Sequence, residues 1–159
     1  MVYENIKQME LKKINDIMFP VVELMKHLRI SPNLDENGMI EYHQIKQKLS
    51  NIKAVQKKNP AIPIIIEVKK AIDDFEATHV DLDYIFESLN DLKNEDLRQN
   101  GDKKYQSWME ILYYHYFTKE TQEAVSEHLE FCRATLNTRK RQASNELIAI
   151  LKEKLFMTS

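Results

Sequence analysis

Ile14-Asn15-Asp16-Ile17-Met18-Phe19-Pro20-Val21-Val22-Glu23-Leu24-Met25-Lys26-His27-Leu28 sets Ile14, Ile17, Val21, Leu24 and Leu28 at alternating three- and four-residue steps. That spacing is one face of an α-helix, and the pattern predicts a helix from about Tyr3 to Arg29. Pro20 removes a ladder bond and crowds the preceding turn, so a kink or restart is expected at Phe19-Pro20. Outward from this helix, Ser31-Pro32-Asn33-Leu34-Asp35-Glu36-Asn37-Gly38 is dense in turn formers and reads as a loop. A second helix then turns Tyr42, Ile45, Leu49 and Ile52 inward, and Asn59-Pro60-Ala61-Ile62-Pro63 breaks the chain again. Pro63 suits the first turn of a third helix carrying Ile65, Val68, Ile72 and Phe75. Asp81 can cap a fourth, with Leu82, Ile85, Phe86, Leu89 and Leu92 facing the core.

A fifth, aromatic helix is expected from about Lys103 to Phe117. From Thr118 the series Val125, Leu129, Cys132, Leu136, Ala143, Leu147 and Ile150 reads as one long helix to about Leu155. Its charges run from Glu120, Glu123, Glu127 and Glu130 to Arg133, Arg139, Lys140 and Arg141, the order a helix dipole favours, although Ser144-Asn145-Glu146 resembles a fresh start. The fold class that follows is all-α: a single-domain bundle of five or six helices over 1–159, with a kinked first helix and a long C-terminal helix. Within it, 1–93 reads as a paired helix-loop-helix portion and 94–159 as the aromatic helix plus the long one. At 159 residues, 43% of them hydrophobic and 30% charged, the chain has enough apolar surface to bury a core without disulfides or metal.

Only two glycines occur, Gly38 and Gly101, which excludes glycine-rich phosphate loops, dinucleotide fingerprints and G-x-S-x-G elbows. Cys132 is the only cysteine, so no internal disulfide or multi-cysteine zinc site exists, and a reducing, cytoplasmic setting is expected. The longest apolar run, Ile64-Ile65-Ile66, is far too short for a bilayer, so no membrane partner is expected. Formal net charge is −2, which leaves any charge-driven partner to a local patch.

The sharpest local pattern is Asn33-x-Asp35-x-Asn37-Gly38-x-Ile40-Glu41-x-x-Gln44. It resembles an EF-hand-like calcium loop, with oxygen ligands at alternate positions around a sixth-position glycine. Asparagine at the first ligand and glutamine at the twelfth weaken that resemblance, and Asp73 to Tyr84 has the length of a second loop without ligands. Two such loops would pair through Ile40 and Val80 as a degenerate calcium-loop pair. The simpler reading is a polar turn or hairpin tip between helices. Glu76-x-x-His79 has metal-ligand spacing but no second pair to complete a site, and Cys132 with His128 on one helix lacks an orienting group and oxyanion donors. Cys132, on the apolar stripe, is expected to be a buried structural cysteine. No cofactor, metal or catalytic residue is therefore expected.

Three features point to partners. On the fifth helix Tyr105, Met109, Leu112 and Tyr116 can face the core, leaving Trp108, Tyr113, Tyr114 and Phe117 as aromatic mass for an interface unless the last helix covers them. Residues 67–102 hold eleven Asp or Glu against four Lys or Arg, so a stripe including Asp73, Asp74, Asp81 and Asp83 can steer a basic partner. Arg133, Arg139, Lys140 and Arg141 form the arginine-rich cluster on which nucleic-acid binding would rest. The expected function is a non-enzymatic protein–protein interaction module, an adaptor, inhibitor or regulatory subunit using the aromatic helix and the acidic surface. The alternatives are a helical nucleic-acid binder and a degenerate calcium-loop regulator. The heptad-like last helix also admits a homodimer.

Overall fold

The computed structural model describes residues 11–59, 66–101, 108–118, 120–129 and 132–158, and among them seven helices and one hairpin. The order is α1 (Leu11–Leu28), β1 (Asn33–Leu34), β2 (Ile40–Glu41), α2 (His43–Lys58), α3 (Ile66–Glu76), α4 (Leu82–Asn100), α5 (Trp108–Phe117), α6 (Gln122–Leu129) and α7 (Arg133–Thr158). The all-α class is what forms. The count passes five or six because the segment expected to be one final helix is two, α6 and α7, with Cys132 in the break and Ser144 inside α7 without interruption. Tyr3, Ile65 and Tyr105 lie outside the described residues.

The chain divides into two compact units, one of Asp16–Leu82 and one joining Asp83–Ser159 with the chain up to Asn15. The boundary between the units lies between Leu82 and Asp83, and its other crossing lies inside α1. Ile14, Ile17, Val21, Leu24 and Leu28 are all buried, as their spacing requires. Pro20 sits inside α1, which neither stops nor restarts there. α1 ends with Arg29 at φ 56°, where Arg29 N–H donates to the Lys26 carbonyl and Ile30 N–H to the Met25 carbonyl. These two bonds are the Schellman closure, here made without glycine.

In the unit Asp16–Leu82, β1 and β2 pair antiparallel with Asn33 opposite Glu41 and Leu34 opposite Ile40. Asp35 closes the tip: its Oδ1 accepts from Asn37 N–H at 2.8 Å and Met39 N–H at 3.0 Å, and Gly38 takes φ 74°. Ile40 is therefore paired within its own loop, and the bridge to Val80 expected from paired calcium loops does not form; Val80 belongs to no strand. The polar hairpin tip is the reading that fits. On α2 only Ile45 is fully buried, with Leu49 and Ile52 half-buried. α3 buries Ala71, Ile72 and Phe75 and is tied to α2 by Lys53 Nζ to Glu76 Oε1 at 2.6 Å.

In the other unit, α4 buries Ile85, Phe86, Leu89 and Leu92 completely and ends on Gly101 at φ 75°. Asp96, only 4% exposed, accepts from the Trp108 backbone N–H at 2.8 Å, so a side chain of α4 satisfies the first turn of α5. Thr121 Oγ1 accepts from Ala124 N–H at 3.1 Å and caps α6. Ile111, Val125 and Leu136 make a small core shared by α5, α6 and α7, with Tyr114 and Leu129 packed on it. Leu136, Ala143, Leu147 and Leu151 of α7 are buried, so the stripe read as a dimerisation seam is used within the chain.

Candidate functional site: a cationic cleft

Along α7, Asn137, Lys140, Arg141 and Ser144 follow the i, i+3, i+4, i+7 spacing and share one face. That face meets His115 and Tyr116 at the end of α5 and Ile14 and Asn15 near the start of α1, and the eight residues line a cleft of about 430 Å³ within the larger unit. The volume lies in the ~300–1,000 Å³ range of ligand sites. Ile14, at 2% exposure, is its aliphatic lining residue, and the other seven carry polar groups.

Tyr116 Oη donates to Asn15 Oδ1 at 2.6 Å, and burial pushes the Tyr116 hydroxyl up to about 12. It remains a neutral donor throughout the physiological range. The remaining polar groups are uncommitted: the side chains of His115, Asn137, Lys140, Arg141 and Ser144 enter no hydrogen bond or ion pair among the described residues. No described carboxylate lines the cleft. His115, itself exposed, makes an edge contact with the Tyr116 ring, centroids 4.6 Å apart. Partial burial, and then the charge of Lys140, hold its imidazole below the ordinary value. A smaller opening lined by Ile111, His115, Glu120, Gln122, Val125, Leu136 and Lys140 shares His115 and Lys140 with the cleft, so these two form the wall between them.

The structure disperses most of the other residues read as sites. Trp108, at 4% exposure, belongs to the core and offers no contact surface, and its indole N–H has no partner among the described residues. Tyr113, Tyr114 and Phe117 are half-buried. Phe117 stacks on Phe86 at 5.6 Å, and Tyr114 Oη lies 2.7 Å from His128 Nε2, so α4 and α6 already occupy much of the aromatic helix. Burial raises the hydroxyls of Tyr113 and Tyr114 above their ordinary value. Of the acidic set, Asp73, Asp74 and Asp81 lie in the unit Asp16–Leu82 and Asp83 in the other, and Asp74 is paired with Lys70 at 3.0 Å. The basic set also splits. Lys140 and Arg141 reach the cleft, whereas Arg133 is drawn to Gln122 at 3.3 Å and Glu123 at 3.9 Å, and Arg139 does not line the cleft.

Cys132 is exposed rather than buried. It precedes α7 in the break that ends the expected continuous helix, and its Sγ lies 3.0 Å from Thr135 Oγ1, not against His128. Hydrogen bonds from the Thr135 side chain and backbone hold the thiol below its ordinary value. At about pH 8, iodoacetamide is expected to alkylate Cys132 in the folded protein at least as fast as a small free thiol, read by intact mass. Protection until denaturant is added would return this cysteine to the interior. Glu76 is engaged by Lys53, His79 is an exposed residue at φ 57°, and no cluster of three or more His, Cys, Asp or Glu with metal-site geometry occurs among the described residues.

Sequence reasoning found Lys140 and Arg141 but missed Asn15, His115, Asn137 and Ser144. The signal for half of these was present as a stripe of hydrogen-bond donors at helical spacing beside the apolar stripe of α7; the contributions of α1 and α5 are non-local and had none. No helix among the described residues is long and apolar enough to cross a membrane. No family model matches the chain, and no curated protein or solved structure is significantly similar to it.

Proposed function

We propose that the protein is a non-enzymatic binding module for another protein, an adaptor, inhibitor or regulatory subunit, and that it receives an acidic group of that partner in the cleft of α1, α5 and α7. The observation that carries this reading is the set of donors at the cleft, Lys140 and Arg141 foremost, that are uncommitted among the described residues, with no described carboxylate lining it. Such a concave, positively charged surface accelerates encounter with an acidic partner and fixes its orientation. Binding fits the site better than catalysis. No candidate nucleophile is set against a general base: Cys132 meets Thr135, His128 meets Tyr114, and His115 meets the ring of Tyr116. The aromatic surface becomes secondary, because Trp108 is buried and Phe117 is stacked on Phe86.

The nucleic-acid alternative draws on the same Lys140 and Arg141. A phosphodiester backbone needs a row of cations that follows the strand, and here Arg133 is turned to Glu123 while the chain as a whole carries −2. The calcium-loop alternative is not carried forward, because the loop is a closed hairpin whose Asp35 oxygen is taken by backbone N–H groups.

The test is fluorescence anisotropy with a labelled Glu-Glu-Glu-Glu-Glu peptide and a single-stranded oligonucleotide. The double variant K140E/R141E is expected to weaken peptide binding at least tenfold, since charge-assisted bonds are each worth about 1.5–3 kcal/mol and tenfold is about 1.4 kcal/mol. Its circular dichroism should match that of the parent, because Arg141 is exposed and Lys140 half-buried. Equal affinity of parent and variant would remove the cleft from the function. Oligonucleotide binding tighter than peptide binding and falling steeply with salt would favour nucleic acid.

A further inference from the structure

We propose that the group received by the cleft is a phosphate monoester carried by a side chain of the partner protein. This rests on the binding reading above and names its ligand chemistry. The first argument is the donor count. Lys140 contributes an ammonium with three N–H groups, Arg141 a guanidinium fork, Asn137 an amide, Ser144 a hydroxyl and His115 at least one ring N–H, and none of these is committed within the described residues. A carboxylate presents two oxygens and a single charge, fewer acceptors than the donors that line the cleft. A phosphate monoester presents three terminal oxygens and about −1.5 to −2 charge at neutral pH, which matches two fixed cations and leaves oxygens for the neutral donors. A phosphodiester has one charge and two free oxygens and falls short in the same way as the carboxylate.

The second argument is Ser144. At 7% exposure it is buried, yet it lines the cleft one turn beyond Lys140 and Arg141, and its hydroxyl makes no hydrogen bond among the described residues. Its hydroxyl oxygen is not sealed from solvent as those of Ser88 and Ser126 are, so it stands open to an acceptor brought by a ligand. The third is His115, whose imidazole is held below its ordinary value by crowding and then by Lys140. A dianion beside it opposes both effects and so favours the imidazolium, which donates from both ring nitrogens.

The experiment compares labelled peptides Glu-Glu-X-Glu-Glu with X as serine, glutamate or phosphoserine, titrated with the full chain. Phosphoserine is expected to bind at least tenfold tighter than glutamate, with inorganic phosphate competing. K140E/R141E should abolish the difference, and Ser144→Ala should weaken the phosphoserine peptide severalfold more than the glutamate peptide, with the fold checked by circular dichroism. Equal affinities for phosphoserine and glutamate would overturn the monoester and leave the acidic-partner reading standing. Adenosine monophosphate binding tighter than every peptide would overturn the protein source, and failure of all peptides to bind would overturn both readings.

Discussion

Replacing Phe86 with alanine is expected to destabilise the larger unit by about 3–5 kcal/mol, the cost of emptying a fully enclosed phenylalanine site. Phe86 has 0% exposure and stacks on Phe117 with ring centroids 5.6 Å apart and planes at 27°. The loss combines the transfer term, the cavity, and an aromatic pair worth about 0.5–1.5 kcal/mol beyond its area. Set against the roughly 5–15 kcal/mol that holds a typical domain folded, this is enough to populate unfolded chain. Urea denaturation should show a large fall in midpoint at constant slope. A loss under about 1 kcal/mol would mean that Phe86 is not enclosed as described. Phe117→Ala, at a half-buried position, should cost less, yet it too lowers stability, so a weakened complex in that variant is not by itself a mark of an interface.

The second large effect is expected from Asp96→Ala, about 2–3 kcal/mol. Asp96 accepts from Asn100 Nδ2 and from Trp108 N–H, each at 2.8 Å, in a setting where it is 4% exposed. Alanine strands the Trp108 N–H at the start of α5 without a partner, and an orphaned buried donor costs its full desolvation. Asp96→Asn keeps an oxygen for that N–H and should recover more than half of the loss, with thermal melts ordering parent, asparagine and alanine. If asparagine and alanine melt together, it is the charge of Asp96, not its acceptor oxygens, that matters.

Much of this fold is legible in apolar spacing. Leu82, Ile85, Phe86, Leu89 and Leu92 were placed in the core by period alone, and all five are buried. The final helix was misread for a physical reason: Val125, Leu129, Cys132 and Leu136 keep helical spacing straight through a break that holds neither glycine nor proline. The cap at that break is a weak sequence signal, Cys132 with Thr135 before α7. The turn after α1 was equally silent, since Arg29 adopts a conformation usually left to glycine. The cleft lay half in view. Charge drew attention to Lys140 and Arg141, but only tertiary structure brings Asn15, more than a hundred residues away in sequence, to Tyr116.

α7 carries its recognition groups at Asn137, Lys140, Arg141 and Ser144 and its anchors at Leu136, Ala143, Leu147 and Leu151 on one uninterrupted screw. Each residue advances that screw by about 100°, so one residue inserted or deleted between Leu136 and Ala143 would rotate the anchors on either side out of line, and the cationic row and the apolar row could not both keep their places. Ligand preference can therefore evolve by exchanging side chains at these four positions, whereas changes of length are tolerated there only in near-whole turns.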